Sequence, residues 1–399
     1  MKRGLLPYQI VMGVTSAAIG GIVAVLGELR DELGFSDTEI GIVVSCGFLA
    51  AFVAQVGFAR FADRGHGRLM ATIGTALASL ALLVMVFADS VVTWGLSRAA
   101  LGFAGGLILP GIRRAATVLD PANVGENLGR LVVGEVLGFV MGPVISALLV
   151  EVGDIRTPFA VFAVGTALFI PFVLRLPGDA GQQDMSESGS SLDLLRGRRL
   201  QGALLLIFGY FMLIGAFESV LPVMFQDRGG SSLDTGLAFT FLALPIAFVS
   251  TRAGRTADRL GAARVATIGM AIVGAVTMTY GFLPGIVIPV VVMALVGLAD
   301  GYGFTAGQVA VSRAVPEARQ ASALGLMGAS EVLGAGVAAI PAAVLYDAAG
   351  EEVAWMATGA ATLVLVLVGH LRLRGTEPVN TSGTDLDWTP VDRHPVPDA

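Results

Sequence analysis

The chain carries little charge for its length. Of its 399 residues, 14% are charged and 55% are hydrophobic, and the mean hydropathy is +0.78. Soluble domains carry roughly 25% charged residues, so this composition excludes an ordinary soluble protein. The single cysteine, Cys46, excludes an internal disulfide and a cysteine-based metal site, and the three histidines are too scattered to predict a metal cluster.

Motifs of common enzyme classes are also missing. The sequence contains no H-E-x-x-H, no G-x-S-x-G and no nucleophile placed with a histidine. The stretch 301–306 mimics a dinucleotide fingerprint, but it lies in an apolar run with no strand before it. We therefore expect no enzyme, no cofactor, no metal and no nucleic-acid partner.

Long apolar runs fill most of the chain. A bilayer core of roughly 30 Å requires about 20 apolar residues per helix, and the runs between charges, prolines and glycines predict twelve spans. These spans are placed at 8–27, 38–59, 69–88, 91–112, 129–150, 157–176, 201–225, 235–253, 263–283, 285–308, 321–345 and 352–371. The predicted fold class is an all-α polytopic membrane protein.

Lysine and arginine are distributed unequally between the loops. With the N-terminus inside, the outer loops hold only Arg30, Arg156 and Arg228, and Arg98 falls within span four. All other basic residues then lie on the inner side, as the positive-inside rule requires. The sequence thus predicts a multi-pass protein of the cell membrane with both termini in the cytoplasm.

The chain repeats itself at a nearly fixed offset. The Asp-Arg pair 63–64 matches the pair 258–259 at an offset of 195, and LGFAGG at 101–106 matches VGLADG at 296–301 at the same offset. In spans five and eleven, Glu135 matches Glu331 at an offset of 196. Two parallel halves of six spans follow, and such halves place a substrate site near the midplane between them.

The repeat sets the predicted domain boundaries. Residues 1–176 form the N-terminal half and 201–373 the C-terminal half. Residues 177–200 are polar, rich in Gly and Ser and then basic, which indicates a cytoplasmic linker. Residues 374–399 are predicted to be a disordered acidic cytoplasmic tail.

Three motifs resemble those of the major facilitator superfamily, over residues 8–373. The loop signature G-x-L-a-D-R-x-G-R is filled by Ala59, Phe61, Ala62, Asp63, Arg64, Gly67 and Arg68, with Ala59 for the first glycine and one extra residue before Gly67. Its second copy contains Gly254, Ala257, Asp258, Arg259 and Gly261. Arg98 and Gly102 match the span-four motif R-x-x-x-G, and Gly129, Gly138, Gly142 and Pro143 match the span-five motif of proton-coupled exporters, in which Ser146 and Ala147 replace the final glycine pair.

The resemblance implies a monomeric secondary transporter that works by alternating access and exchanges protons for an exported small molecule. It also implies gating residues that brace the inner side, namely Asp63, Arg64, Gly67, Arg68, Arg113, Arg114, Asp258 and Arg259. Gly134, Gly138 and Gly142 recur at every fourth residue, so they favour close approach of another helix. This contact serves packing, conformational change, or both.

Ionisable residues inside spans are the candidates for chemistry, because each costs roughly 2.5–3.5 kcal/mol at a helix centre. Four acids, Glu135, Glu218, Asp300 and Glu331, face one in-span cation, Arg98. Proton coupling is assigned to Glu135 and Asp300 first, with Arg98 and Glu331 also candidates. For Glu218 and Glu331 the alternative is a satisfied acid near a helix end, and for Arg98 it is snorkelling to the interface.

The family resemblance places spans one, four, seven and ten around the cavity. The substrate-cavity candidates are therefore Arg98, Glu218 and Asp300, with Tyr210 and Phe217 as rings suited to a cation. Two other functions remain open at this point. One is a proton-coupled uptake symporter for a metabolite, and the other is a membrane sensor that kept the fold without transporting.

Overall fold

The computed structural model describes residues 6–119, 124–176, 191–315 and 320–374. These ranges are almost entirely helical. The α-helices are α1 (Leu6–Ala24), α2 (Leu26–Leu33), α3 (Asp37–Phe61), α4 (Gly67–Val86), α5 (Val91–Leu119), α6 (Val124–Val152), α7 (Thr157–Leu174), α8 (Arg198–Asp227), α9 (Ser232–Leu260), α10 (Ala262–Thr277), α11 (Val287–Ser312) and α12 (Gln320–Leu373). Two 3-10 helices, Ser191–Arg196 and Tyr280–Phe282, precede α8 and α11.

Within the described ranges, eleven helices are long and apolar enough to cross a membrane. The last of them, α12, is 54 residues long and is broken at Gly350, whose φ of 85° and ψ of 176° lie outside the helical region. Such a backbone strongly favours glycine. The two arms of α12 provide separate crossings, so the twelve predicted spans and the all-α fold class are confirmed.

The helices differ from the predicted spans mainly at their polar ends. Helix α8 begins at Arg198 instead of 201, and α9 continues to Leu260 instead of 253. Hydropathy reports only the apolar stretch, whereas the backbone hydrogen bonds continue through the charged residues beyond it. Helix α2 fills a segment predicted as an outer loop, and it buries Leu26 and Leu29. Residues 177–190 of the linker and 375–399 of the tail lie outside the described residues.

The first loop signature lies at a kink between α3 and α4, Ala62–His66, where the backbone leaves the helical region at Gly65. Gly65 has a φ of 87° there, and the second copy turns at Gly261, whose φ is 90°. Both turns therefore use a positive φ, which a side chain would oppose.

The glycine contacts of the two halves are related by the repeat offset. In the N-terminal half, α6 lies so close to α1 that a β-carbon on Gly138 would collide with the carbonyl oxygen of Gly13. In the C-terminal half, α12 approaches α8 in the same way, and a β-carbon on Gly334 would lie 2.5 Å from the carbonyl oxygen of Phe208. The glycines are 196 positions apart and their partners 195.

The packing of α5 on α3 is repeated by α11 on α9. A β-carbon on Gly102 would collide with the carbonyl of Gly47, and one on Gly297 would lie 2.5 Å from the carbonyl oxygen of Leu242. Both the glycines and their partners differ by 195 positions. The duplication read from the motifs thus extends to the helix contacts that the motif residues make.

The halves meet through α3 with α12 and through α9 with α6. A β-carbon on Gly41 would lie 2.8 Å from the carbonyl oxygen of Ala339, and one on Gly236 would lie 3.2 Å from that of Pro143. The Ser45 hydroxyl donates a hydrogen bond to the carbonyl of Gly336 across the first of these contacts. Pro143, assigned from the sequence to conformational change, therefore lies at the junction of the halves.

Candidate functional site

One buried ion pair joins the two halves within the membrane-spanning region. Arg98 on α5 donates from Nη2 to Oε2 of Glu218 on α8 over 3.1 Å. Each side chain is 3% exposed. Arg98 is seven residues beyond the start of α5, which is about 10 Å along a helix. It is therefore paired and does not snorkel to the interface, and Glu218 is a buried partner of a cation.

A glycine makes room for Arg98. A β-carbon on Gly47 of α3 would lie 2.9 Å from Nε of Arg98 and 3.0 Å from its Cγ. The arginine thus crosses the bare backbone of α3 before it reaches the other half. Its Nε has no hydrogen-bond partner in the described part of the chain, so this guanidinium is only partly satisfied.

The second buried polar contact lies deeper, at mid-height of the helices. Tyr210 on α8 donates its hydroxyl to Oδ2 of Asp300 on α11 over 2.8 Å. Asp300 is 2% exposed and stands midway along α11. Its Oδ1 is buried without a partner, and no Lys or Arg of the described ranges pairs with it. An acid in this position is suited to holding a proton.

Two groups of aromatic rings include residues of α8. Tyr210, Phe211 and Phe304 form one group, with ring centroids 5.2–5.8 Å apart. Phe217, Tyr280 and Trp355 form another, with centroids 4.9–5.5 Å apart. The Tyr280 hydroxyl is buried without a partner among the described residues. The predicted ring residues Tyr210 and Phe217 thus belong to two separate groups.

A third polar contact closes the outer end, as the loop charges define it. Arg30 on α2 bonds to Asp31 over 2.8 Å, to Asp37 over 2.9 Å and, across the halves, to Asp227 at the end of α8 over 2.5 Å. Burial lowers the pKa of Arg30, but its hydrogen bonds with Asp227, Asp37 and Asp31 outweigh burial and raise the pKa above its ordinary value. Arg30 therefore stays charged.

Two further contacts across the halves lie at the same end. The Ser232 N–H donates to Oε1 of Glu28 over 2.9 Å, and the Thr38 hydroxyl donates to Asp347 over 3.0 Å. Together with Arg30–Asp227 they form what we call the outer clasp. The clasp holds the two halves together at the end where α2 lies.

Glu135 and Glu331 lie outside these contacts. Glu135 is half-buried on α6 and forms no hydrogen bond or ion pair with a described residue. Glu331 is half-buried on α12 and interacts with another group. The two acids match in sequence position, but their surroundings differ.

The span-five glycines face α1. A β-carbon on Gly134 would lie 2.7 Å from the carbonyl oxygen of Gln9, and one on Gly142 would collide with that of Ala17. With Gly138 they form one continuous contact along α6. Gly129 belongs to the same helix, and its surroundings lie outside the described residues. In the echo, Gly325 has nothing within 4 Å of its β-carbon position, so it takes no part in the matching contact.

The predicted inner gating residues are only partly described. Gly67 approaches Gly111 of α5, where a β-carbon would lie 3.1 Å from the Cα of Gly111. Arg68 donates to the Leu176 carbonyl over 3.4 Å, and Arg259 is exposed. The side chains of the other predicted gating residues lie outside the described part of the structure, namely Asp63, Arg64, Arg113, Arg114 and Asp258.

The residues of the outer clasp were not predicted from the sequence. One signal was available, since Arg30 is one of only three basic residues in the predicted outer loops. Asp227 and Asp347 carried no comparable signal, because they end apolar spans where charge is expected. Gly47 was missed because its role depends on a side chain 51 positions away.

The sequence model of the Major Facilitator Superfamily matches residues 10–231 and 203–395. The chain belongs to this superfamily. Among curated relatives of this major facilitator protein, the multidrug resistance protein MdtG of Proteus mirabilis (strain HI4320) is 26% identical over 280 residues, covering 65% of this chain and 68% of the relative. MdtG of Rahnella sp. (strain Y9602) is 26% identical over 291 residues, covering 68% and 69%. As members of a transporter superfamily, these proteins are not enzymes.

Solved major facilitator structures share the fold. The nucleoside transporter NupG (D323A mutant) superposes with a TM-score of 0.75 at 18% identity, over 92% of this chain and 99% of NupG. A bacterial homolog of the human lysosomal transporter Spinster, inward-facing and occupied, gives 0.77 at 12% identity, over 92% and 95%. At these identities the likeness concerns the fold alone, which is the predicted pair of six-helix bundles.

Proposed function

We propose that this major facilitator protein exports a small molecule in exchange for protons, and that Asp300 takes up and releases the proton. The observation that carries the proposal is the setting of Asp300, buried at mid-height with one donor and no cation among the described residues. The multidrug resistance proteins to which the chain is similar support the outward direction.

The proton is assigned to Asp300 and not to Glu218 because the two acids differ in their partners. Glu218 is compensated by Arg98, which favours its charged form. Asp300 has only a neutral hydroxyl beside it, and an ionised carboxylate buried without a cation is expensive. Asp300 therefore favours its protonated form when the site is closed, and it releases the proton when water or a cationic group reaches Oδ1.

Helix α8 links the proton site to the rest of the cycle. It carries Tyr210 at mid-height, Glu218 nearer the outer end and Asp227 in the outer clasp. A change at Asp300 is thus transmitted along one helix to two of the contacts that hold the halves together. In the proposed cycle the clasp opens outward, Asp300 is protonated from outside, the clasp closes, and substrate binds from inside as the proton leaves.

The test is Asp300→Asn in the full-length protein reconstituted in liposomes. A substrate is first identified by a resistance panel in an efflux-deficient host. Proton release is then followed with a trapped pH-sensitive dye while substrate is added. Because the amide cannot exchange a proton, we expect substrate-driven proton movement to be abolished, with expression and melting temperature retained.

Two matched control variants test whether Asp300 is the acid that carries the proton. Glu135→Gln and Glu331→Gln each remove one in-span acid and should leave proton movement coupled to substrate. Coupling that survives in Asp300→Asn but disappears in Glu135→Gln would move the proton site to α6. Substrate accumulation inside right-side-out vesicles under an inward proton gradient would show that the protein imports its substrate. The absence of substrate flux in every assay would support a membrane sensor.

A further inference from the structure

Four arginines form a cluster at the end of the C-terminal half opposite the outer clasp. Arg196 ends the 3-10 helix Ser191–Arg196, Arg198 begins α8, and Arg372 and Arg374 end α12. All four are exposed. We call them the inner arginine cluster.

Hydrogen bonds connect two of these arginines to the neighbouring helix. The Gln201 amide donates to the Leu195 carbonyl over 2.6 Å, and its oxygen accepts from Arg372. Arg198 donates to the Leu371 carbonyl over 3.4 Å. The 3-10 helix, the start of α8 and the end of α12 are thus fastened together, and Arg198 and Arg372 lie at this junction.

The cluster lacks the carboxylates that accompany arginines at the other end. Each of the three outer arginines forms an ion pair, Arg30 with Asp227, Arg156 with Asp89 and Arg228 with Glu351. None of the four inner arginines forms one with a described carboxylate. The nearest acids in sequence are Asp193, three residues before Arg196, and Glu377, three residues after Arg374, so the four arginines outnumber these acids by two.

An apolar surface continues from the cluster toward the bilayer. Leu367 and Leu371 are 58% and 47% exposed on α12. Their spacing with Arg374, four and then three residues, places all three on one helix face. Leu195 of the 3-10 helix is also exposed. Charged groups at the membrane interface above exposed leucines match the shape of a lipid with an anionic headgroup.

We propose that the inner arginine cluster binds an anionic phospholipid, with the headgroup phosphate on Arg198 and Arg372 and the acyl chains along Leu367 and Leu371. A soluble phosphate would use the guanidinium groups but leave the leucines uncovered. Because Arg198 and Arg372 both bridge α8 and α12, the lipid would fasten the inner end of α8. This proposal does not depend on the direction of transport or on the coupling ion.

The experiment uses the full-length protein, delipidated in a neutral detergent. Dioleoyl phosphatidylglycerol, dioleoyl phosphatidylcholine and inorganic phosphate are added separately, and the melting temperature and the lipid retained in native mass spectrometry are measured. We expect phosphatidylglycerol to raise the melting temperature and to be retained, phosphatidylcholine to do so weakly, and inorganic phosphate not at all.

Arginine variants test whether the melting-temperature shift with phosphatidylglycerol arises at the inner arginine cluster. Arg198→Gln with Arg372→Gln should reduce the phosphatidylglycerol shift to the phosphatidylcholine level. Arg255→Gln with Arg264→Gln removes the same charge from exposed positions on α9 and α10 and should keep the shift. If the first pair fails to fold, Arg196→Gln with Arg374→Gln removes two charges without breaking a bond between α8 and α12 and should also weaken retention.

Three results would overturn the proposal. One is an equal shift with phosphatidylcholine and phosphatidylglycerol. Another is an equal loss in the Arg255 and Arg264 variant, which would indicate attraction by overall charge. The third is a shift with inorganic phosphate as large as with phosphatidylglycerol, which would indicate a site for soluble anions.

Discussion

The N-terminal and C-terminal halves share their helix packing but not their chemistry. Positions related by the offset of 195 carry the same close contacts, such as Gly102 on Gly47 and Gly297 on Leu242. The buried polar positions differ at every pair. Arg98 corresponds to Met293, Glu218 to Val23, Asp300 to Gly105 and Tyr210 to Thr15.

The difference indicates that packing and chemistry follow separate constraints. A backbone contact between helices depends on a small residue at one point, and this requirement is the same in both halves. Charge at mid-height is expensive, so it is kept only where it serves a function. The C-terminal half supplies both buried acids of the site, Glu218 and Asp300, and the N-terminal half supplies the arginine that pairs with one of them.

The largest expected effect comes from replacing Arg98 or Glu218 with the residue type at the repeat-related position of the other half. These positions are Met293 and Val23. Arg98→Met alone leaves Glu218 buried without a cation, and Glu218→Val alone leaves Arg98 without an anion, so each should lower stability by about 3–5 kcal/mol. The double variant removes both charges and should recover most of that loss. Thermal unfolding in detergent measures all three proteins.

A transport assay of the double variant shows whether the Arg98–Glu218 pair serves transport or only stability. The double variant should be stable but inactive, because the link between the halves is lost. A double variant as unstable as either single one would contradict the pairing, and one that still transports would exclude the pair from the transport cycle.

The next prediction concerns transport by cross-linked protein. It compares a cross-link between the two halves with a cross-link inside one half. In a Cys46→Ala background, a short thiol cross-linker between Thr38→Cys and Asp347→Cys should abolish transport, because it prevents the outer clasp from opening. The same reagent between Asp89→Cys and Arg156→Cys joins two loops of the N-terminal half. That link should leave transport unchanged. Transport by the Thr38–Asp347 cross-linked protein would show that the outer end need not open.

The smallest effect tests the shared packing. Gly138→Ala and Gly334→Ala each place a β-carbon against a backbone carbonyl of the neighbouring helix, so we expect similar losses of about 1–3 kcal/mol. Gly325→Ala meets nothing within 4 Å and should stabilise α12 by up to about 1 kcal/mol through helix propensity. Unfolding in detergent gives the three values. A loss at Gly138 without one at Gly334 would argue against equivalent packing.

Several features of the site could be predicted from sequence because they depend on residue type. In-span acids and the single in-span arginine stand out against an apolar background, so the sequence predicts Arg98, Glu218 and Asp300 as site residues. The glycine spacing in α6 predicted a close helix neighbour. The identity of that neighbour, α1, was not predicted, because spacing along one helix does not specify its partner.

Sequence alone determined the twelve spans, the two related halves and the residues able to carry charge in the membrane, since hydropathy and repeat offset are properties of the chain. Only the tertiary structure decided how those residues combine. Arg98 meets Glu218 across 120 positions, Tyr210 meets Asp300 across 90, and Arg30 meets Asp227 across 197. Such pairings depend on the helix arrangement, which sets the distance between side chains far apart in the chain. That distance decides that Glu218 has a cation beside it and that Asp300 has a hydroxyl.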